Sequence, residues 1–289
     1  MFVKAIISVI AFLVFAPFVG GILAGLDRKL SAKMQRRVGP PVLQPFYDVA
    51  KLFQKEKMTP TAFQDFYVLV FVVFIIASGV IFFMGGDLLL VIFTLTIGSA
   101  FLIIAAYSSN SPYAEAGAER ELLAMMAYEP MVLLTVIGFY LYSGSFKVSD
   151  ILAGESMPFL PMIGIFVGWL FILTMKFRKS PFDLSMSHHA HQELVRGMTT
   201  EFVGRTMGWI EISHWYENVF LLGFVFLFFA NGTWYGWIIG IVVAILAYFL
   251  EVLIDNCFAR MKWQFAFKSA WIVAVVLGVI NLFVLYLCF

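Results

Sequence analysis

The chain has 289 residues, of which 62% are hydrophobic and 13% charged, with a net charge of +1 and a mean hydropathy of +0.94. A soluble globule is about half apolar and about a quarter charged, so a water-facing fold of this length has nowhere to hide so much apolar side chain, whereas lipid accepts it. The near-neutral balance leaves no electrostatic footprint for nucleic acid, and two distant cysteines, Cys257 and Cys288, supply neither a disulfide framework nor the thiolates of an iron–sulfur cluster.

A membrane-spanning helix needs about 20 mostly apolar residues. Eight are predicted, over residues 4–26, 66–85, 88–107, 119–142, 158–177, 207–230, 234–255 and 268–288. The fold class is therefore all-α and polytopic, one membrane domain over 1–289 without internal repeats. Lys4 leads into an apolar run too long for the core of a cleaved signal, and basic residues follow it instead of a cleavage site. Gly85-Gly86-Asp87 and Asn231-Gly232-Thr233 mark tight turns. The sixth predicted helix is interrupted by Glu211, His214 and Glu217.

With eight spans, the loops at 27–65, 108–120, 176–206 and 256–268 share one side and hold 17 of the 19 Lys and Arg residues. The positive-inside rule then places these loops in the cytoplasm and both termini outside the cell membrane.

The first of these loops reads DRKLSAKMQRRVGPPVLQPFYDVAKLFQKEK. Gly39-Pro40-Pro41 is a rigid break, and the apolar residues after it fall near helical spacing, which predicts an amphipathic surface helix. Arg28, Lys29, Arg36 and Arg37 read as positive-inside anchors or as a face for a docked partner. The fourth helix opens with GAERELLAMMAYEP. Glu121 and Glu129, eight residues apart, share a broad face, and Pro130 leaves the carbonyl of Met126 without its helical donor. Intramembrane carboxylates are costly and normally face a bundle interior or a wet cavity. Glu115 and Glu119 read as a solvated helix entrance. Glu129 is either a structural hydrogen-bonding group or part of a proton path.

The longest loop and the helix after it carry Asp183, Glu193, Glu201, Glu211 and Glu217, interleaved with Arg196, Arg205 and His214. Glu211, His214 and Glu217 are spaced by three, so neighbours in that series can meet on a helix. Carboxylates beside histidine or arginine are what a proton relay needs, because burial and neighbouring cations move their protonation in opposite directions. His188, His189 and His191 lack any established metal-ligand spacing and read as partner-contacting groups, so no metal site is expected. Glu251 and Asp255, an i, i+4 pair closing the seventh helix, read as an interfacial end-anchor, with a place in the relay as the other reading.

The blocks DRKLSAKMQRRVGPPVLQPFYDVAKLFQKE, AERELLAMMAYEP and SPFDL…QELVRGMTTEF, in this order, resemble the respiratory-chain NADH dehydrogenase subunit 1 family, which serves complex I and related hydrogenases, over most of the chain. Within it, SMSHHAHQELVRG is similar to the membrane subunit of Ech-type energy-converting [NiFe] hydrogenases; complex I members carry a run of glutamates after the PFD element instead. That resemblance implies an ion-translocating subunit holding no cofactor itself. Large and small [NiFe] hydrogenase subunits and a ferredoxin-like iron–sulfur subunit would carry the nickel–iron centre and clusters, with an antiporter-like subunit alongside in the bilayer. Reduced ferredoxin would donate electrons to protons while H+ or Na+ is exported. Glu121, Glu129, Asp183, Glu193 and Glu201 match acidic positions of the family motifs; a further family glutamate falls among Glu211, His214 and Glu217 at shifted spacing, with Glu211 and Glu217 as the favoured and unassigned matches. A quinone site, a passive anchor and a stand-alone transporter remain as alternatives.

Overall fold

The computed structural model describes residues 2–56, 61–154, 156–185 and 196–288. These are helical throughout, apart from turns and an isolated β-bridge between Asp87 and Lys147. The helices are α1 (Phe2–Met34), α2 (Gln44–Gln54), α3 (Ala62–Phe83), α4 (Leu88–Tyr107), α5 (Pro112–Ser143), α6 (Val148–Leu152), α7 (Ile163–Lys176), α8 (Arg205–Leu227), α9 (Trp234–Cys257), α10 (Trp263–Val273) and α11 (Ile280–Cys288). A 3-10 turn, Gly197–Thr199, precedes α8, and a π-helical stretch, Ala274–Val279, joins α10 to α11.

Among the described residues, six helical stretches are long and apolar enough to cross a bilayer: Ala5–Met34, Phe63–Phe83, Leu88–Tyr107, Pro112–Ser143, Trp234–Cys257 and Trp263–Leu287. They correspond to predicted spans one to four, seven and eight. The fifth and sixth predicted spans are the helices α7 and α8, and they differ from the rest. At about 1.5 Å per residue, the 14 residues of α7 cover only about two thirds of a hydrocarbon core about 30 Å thick. Pro158 and Pro161 delay its start, and turns fill 156–162. α7 buries one face against the bundle, with Ile165, Phe166, Trp169, Ile172 and Leu173 all buried, while Ile163, Val167 and, just before the helix, Leu160 stay exposed. α8 is long enough but carries Glu211, His214 and Glu217. It packs against α1, α2, α3, α7 and α9, so its polar side chains face protein.

Two helix starts and one helix end also differ from the sequence expectation. α1 runs on to Met34 because the charged stretch after Leu26 is rich in good helix formers, and nothing breaks it before Gly39-Pro40-Pro41. α5 begins at Pro112, whose fixed φ suits a first helical position. α10 starts at Trp263, ahead of residue 268. The surface helix expected after the double proline is present as α2. Its Phe46 and Phe53 lie against Trp215 and Trp209 of α8, with ring centroids 5.2 and 5.3 Å apart, so α2 is fastened to the bundle.

The largest side chains of the core are aromatic. Trp169 stacks on Phe224 at 4.7 Å, Phe224 meets Phe82 and Phe220 at 5.1 and 5.3 Å, and Phe139 meets Phe228 at 4.8 Å, tying α3, α5 and α7 to α8. At one end of the bundle Leu88 N donates to Phe146 O, Val148 N to Gly86 O and Gly232 N to Gly154 O. At the other end the segments that carry nearly all the basic residues meet: Met198 N donates to Ser185 O, Met261 N to Pro181 O, and Thr206 Oγ1 to Asp65 Oδ1 at 2.6 Å. The expected basic side is thus one physical end of the molecule.

Candidate functional site

That basic end contains a cavity of about 660 Å3, walled by the last turns of α1, the segment after α7, the middle of α8 and the end of α9. Its deepest chemistry is centred on Arg178, two residues beyond α7. Arg178 donates through Nε and Nη2 to Glu121 Oε1 at 3.2 and 2.9 Å, and its Nη1 lies 2.8 Å from His214 Nε2. Ser185 Oγ closes a very short hydrogen bond to the other oxygen, Glu121 Oε2. Both oxygens of a buried carboxylate are thereby satisfied, one by the guanidinium and the other by the hydroxyl. Burial works against the charge of the Arg178 guanidinium, but the carboxylates of Glu121 and Glu217 outweigh it and hold the group above the ordinary arginine range.

The position of Glu121 depends on a close approach. Gly117, one turn earlier on α5, lies against the backbone of Gly197 and Met198, where any Cβ would collide with main-chain atoms. The 3-10 turn can therefore nest on α5 and carry Ser185, through its bond to Met198, to the Glu121 carboxylate.

A second buried ion pair adjoins the first. Lys176 Nζ stands 4.0 Å from Glu217 Oε1 and 4.2 Å from the centre of the Tyr128 ring, with both charged side chains only 4% exposed. Lys176 is also the charge that acts on Glu129, which is half-buried on α5 outside the cavity wall. A third pair, Lys179 with Asp27 at 2.9 Å, bridges the segment after α7 to α1.

The structure thus gathers Asp183, Glu211, His214 and Glu217 around one cavity, with Arg196 at its margin and Glu121 joined to its wall through Arg178. The spacing of Glu211, His214 and Glu217 suggested contacts among themselves; the cations that complete the arrangement, Arg178 and Lys176, come from another segment. Glu201 is half-buried in the turn between the 3-10 turn and α8, away from the cavity lining, and Arg205 is exposed beside it. Arg28, Lys29, Arg36 and Arg37 are exposed or partly so; Arg28 and Arg37 border the cavity. Arg28 pairs with Asp48 of α2 at 2.6 Å. Burial acts against the Asp48 carboxylate, yet hydrogen bonds from Arg28 and Gln44 prevail and hold it below the usual aspartate range. Glu193, His188, His189 and His191 lie outside the described residues. Among the described residues, no three His, Cys, Asp or Glu side chains converge to hold a metal ion.

Sequence reasoning overlooked Lys176, Arg178, Lys179 and Ser185, counting the first three only as members of a basic loop. The available signal was their position: a K-F-R-K run directly continuing an apolar helix places cations at a depth where they require partners. It also misjudged Glu251. That residue is no interfacial anchor, being 0% exposed within α9. The helix face that carries Asp255 packs inward against α1 and the Arg178 segment, where Asp255 Oδ1 accepts from Ser180 N at 2.9 Å.

A family model described as NADH dehydrogenase matches residues 6–286. The chain is 29% identical over 295 residues to the H-type subunit of NADH-quinone oxidoreductase from Rhodospirillum rubrum, covering 89% of this chain and 86% of that one. It is 29% identical over 199 residues to hydrogenase-4 component C of Escherichia coli, covering 63% of this chain and 62% of that protein. The fold matches a chain of the membrane-bound sulfane sulfur reductase, an archaeal respiratory membrane complex, with a TM-score of 0.85 and 28% identity over 96% of this chain and 99% of that chain.

Proposed function

Since the chain belongs to the NADH dehydrogenase family and is the membrane subunit of a complex I-like respiratory complex, we propose that it is the coupling subunit of an Ech-type energy-converting [NiFe] hydrogenase. In this reading it anchors the peripheral hydrogenase arm at its basic end, which faces the cytoplasm. It links ferredoxin-dependent proton reduction to translocation of H+ or Na+ toward an antiporter-like neighbour. The redox centres belong to partner subunits, and this chain supplies carboxylates and the cations that set their charge.

The observation that carries the reading is the pair of buried ionic clusters, Arg178 with Glu121 and Lys176 with Glu217, set side by side at one cavity. Desolvating two such pairs costs several kcal/mol per ion, and well-packed apolar residues would serve a passive anchor better. A proton path uses such groups differently. A shift of one pKa unit is about 1.4 kcal/mol, and moving one charge through about 100 mV takes about 2.3 kcal/mol. A change of charge or position at the docked redox partner that moves Arg178 relative to Glu121 and His214 is on that scale. From there the change can pass through Lys176 to Glu217 and Glu129.

The character of the cavity favours this reading over a quinone site. Ligand pockets for apolar molecules are lined predominantly by hydrophobic and aromatic groups, whereas this wall carries Asp27, Arg28, Lys176, Arg178, Lys179 and Glu211 among its residues.

Gentle purification from native membranes with mass spectrometry and nickel analysis tests the assignment. Co-purifying [NiFe] hydrogenase subunits and stoichiometric nickel are expected, and a nickel-free complex overturns the hydrogenase branch. Glu129→Gln and Glu217→Gln variants that still assemble are expected to lose ion translocation while retaining electron transfer. Undiminished pumping in both removes the relay.

A further inference from the structure

Glu251 stands apart from the two clusters above. It is 0% exposed on α9, and neither of its carboxylate oxygens has a hydrogen-bond partner among the described residues. An ionised carboxylate in that condition is among the costliest groups a protein can bury; the neutral acid costs far less. Tyr248 three residues before it and Asp255 four residues after it share its helix face, and both line the cavity. Glu251 therefore sits directly behind the cavity wall.

The elements packed against α9 are α1, α7 and α8, and each brings titratable groups to this region. α1 brings Asp27. The segment after α7 brings Lys179, whose ammonium lies 2.9 Å from Asp27 Oδ2 and 4.9 Å from the centre of the Tyr248 ring. α7 and α8 bring Lys176 and Glu217, already committed to one another. On α9 itself stand Tyr248 and Asp255, the latter engaged by Ser180 N. The charges that act on Glu251 are those of Lys179 and Asp255.

The Lys179 contact is close but lacks hydrogen-bond alignment, so the ammonium is held to Asp27 by charge alone. Lysine is suited to such a post because its point charge rides on a flexible stem. The Asp27 side chain is 24% exposed, so the pair borders the open part of the cavity.

We propose that Glu251 is a second protonation site of this protein, taking up and releasing one proton as the Lys179 ammonium moves between Asp27 and Glu251. With Lys179 on Asp27, the Glu251 carboxyl is neutral. When Lys179 turns toward Glu251, the O–H bond breaks, the proton leaves through the cavity past Asp27, and the new carboxylate pairs with the ammonium. A role for this proton in energy coupling rests on the reading given above; protonation itself does not.

Infrared difference spectra recorded against pH on the intact resting complex test the proposal without turnover, so failure here is distinguishable from failure of ion pumping. In Glu251→Gln the carbonyl band of one protonated carboxyl group is expected to disappear. Lys179→Met is expected to strengthen that band at a given pH, because the competing cation is gone. Asp27→Asn is expected to weaken it, because Lys179 is released to Glu251. The last two variants leave Glu251 in place and test the site even where Glu251→Gln does not assemble. A band that persists in Glu251→Gln, or one that Lys179→Met and Asp27→Asn fail to move in opposite directions, overturns the proposal.

Discussion

Replacing Arg178 by methionine removes a cation of comparable length from a site where both partners are nearly dry. The side chains of Arg178 and Glu121 are 11% and 7% exposed, and their closest approach is 2.9 Å. At that separation and an effective dielectric of about 20, the Coulomb attraction is about 6 kcal/mol. Desolvation of both groups already offsets much of this in the native state, so the pair's net worth is small while its disruption is costly. Removing one partner of a buried pair typically costs about 3–5 kcal/mol. Glu121 would keep only the Ser185 hydroxyl as a donor among the contacts described, and His214 would lose its guanidinium neighbour. At about 2–4 °C per kcal/mol for a chain of this size class, the melting temperature of the intact complex should fall by about 10 °C. The diagnostic variant is Arg178→Met combined with Glu121→Gln. With the stranded carboxylate neutralised, at least about half of the lost stability should return, since contacting residues couple non-additively. Thermal unfolding followed by release of this chain from the complex provides the assay. If the two single shifts simply add, Arg178 and Glu121 do not form the pair described.

Gly117→Val should prevent the 3-10 turn from nesting on α5 and cost about 1–3 kcal/mol or more, read as loss of assembled chain in the membrane; normal accumulation refutes the close approach. Trp169→Phe should be tolerated far better than Trp169→Ala: its buried indole N–H has no acceptor among the described residues, and the phenyl ring keeps the packing on Phe224, whereas truncation costs about 3–5 kcal/mol. Asp48 titrates below the usual aspartate range, so its contribution to holding α2 is complete above about pH 4, the ordinary unfolded value, and fades as pH falls through the lower folded value. Hydrogen-exchange protection in α2, taken relative to the intrinsic exchange rate at each pH, should therefore fall on acidification below that point and do so less in Arg28→Ala. The effect is modest because the pair is largely exposed, and a protection factor in the native chain that does not change with pH contradicts it.

The legible part of the fold followed from solvent. Apolar runs as long as a bilayer is thick, turn residues between them and the one-sided distribution of Lys and Arg require no tertiary information, so six spans and the basic end could be read directly. Gly39-Pro40-Pro41 followed by a helical apolar pattern similarly announced α2. The boundaries at Met34 and Pro112 were less legible, because a helix leaving the membrane stays helical in water whenever its residues favour it, and hydropathy does not register that. Glu121, Asp183, Glu211, His214 and Glu217 were recognisable as candidates because polar groups near the membrane are expensive.

Their partners were not recognisable. Arg178 lies 57 residues from Glu121 and 36 from His214 along the chain, and although its place at the end of an apolar helix calls for a partner, nothing local says which one. Composition and pattern alone determined that this is a helical membrane protein with its basic loops at one end, since transfer free energy depends on what each residue is. Which cation neutralises which carboxylate, and that Glu251 is left without a hydrogen-bond partner among the described residues, was decided only by the tertiary structure, because electrostatic energy depends on distance and burial, and helices that meet in space are distant in the chain.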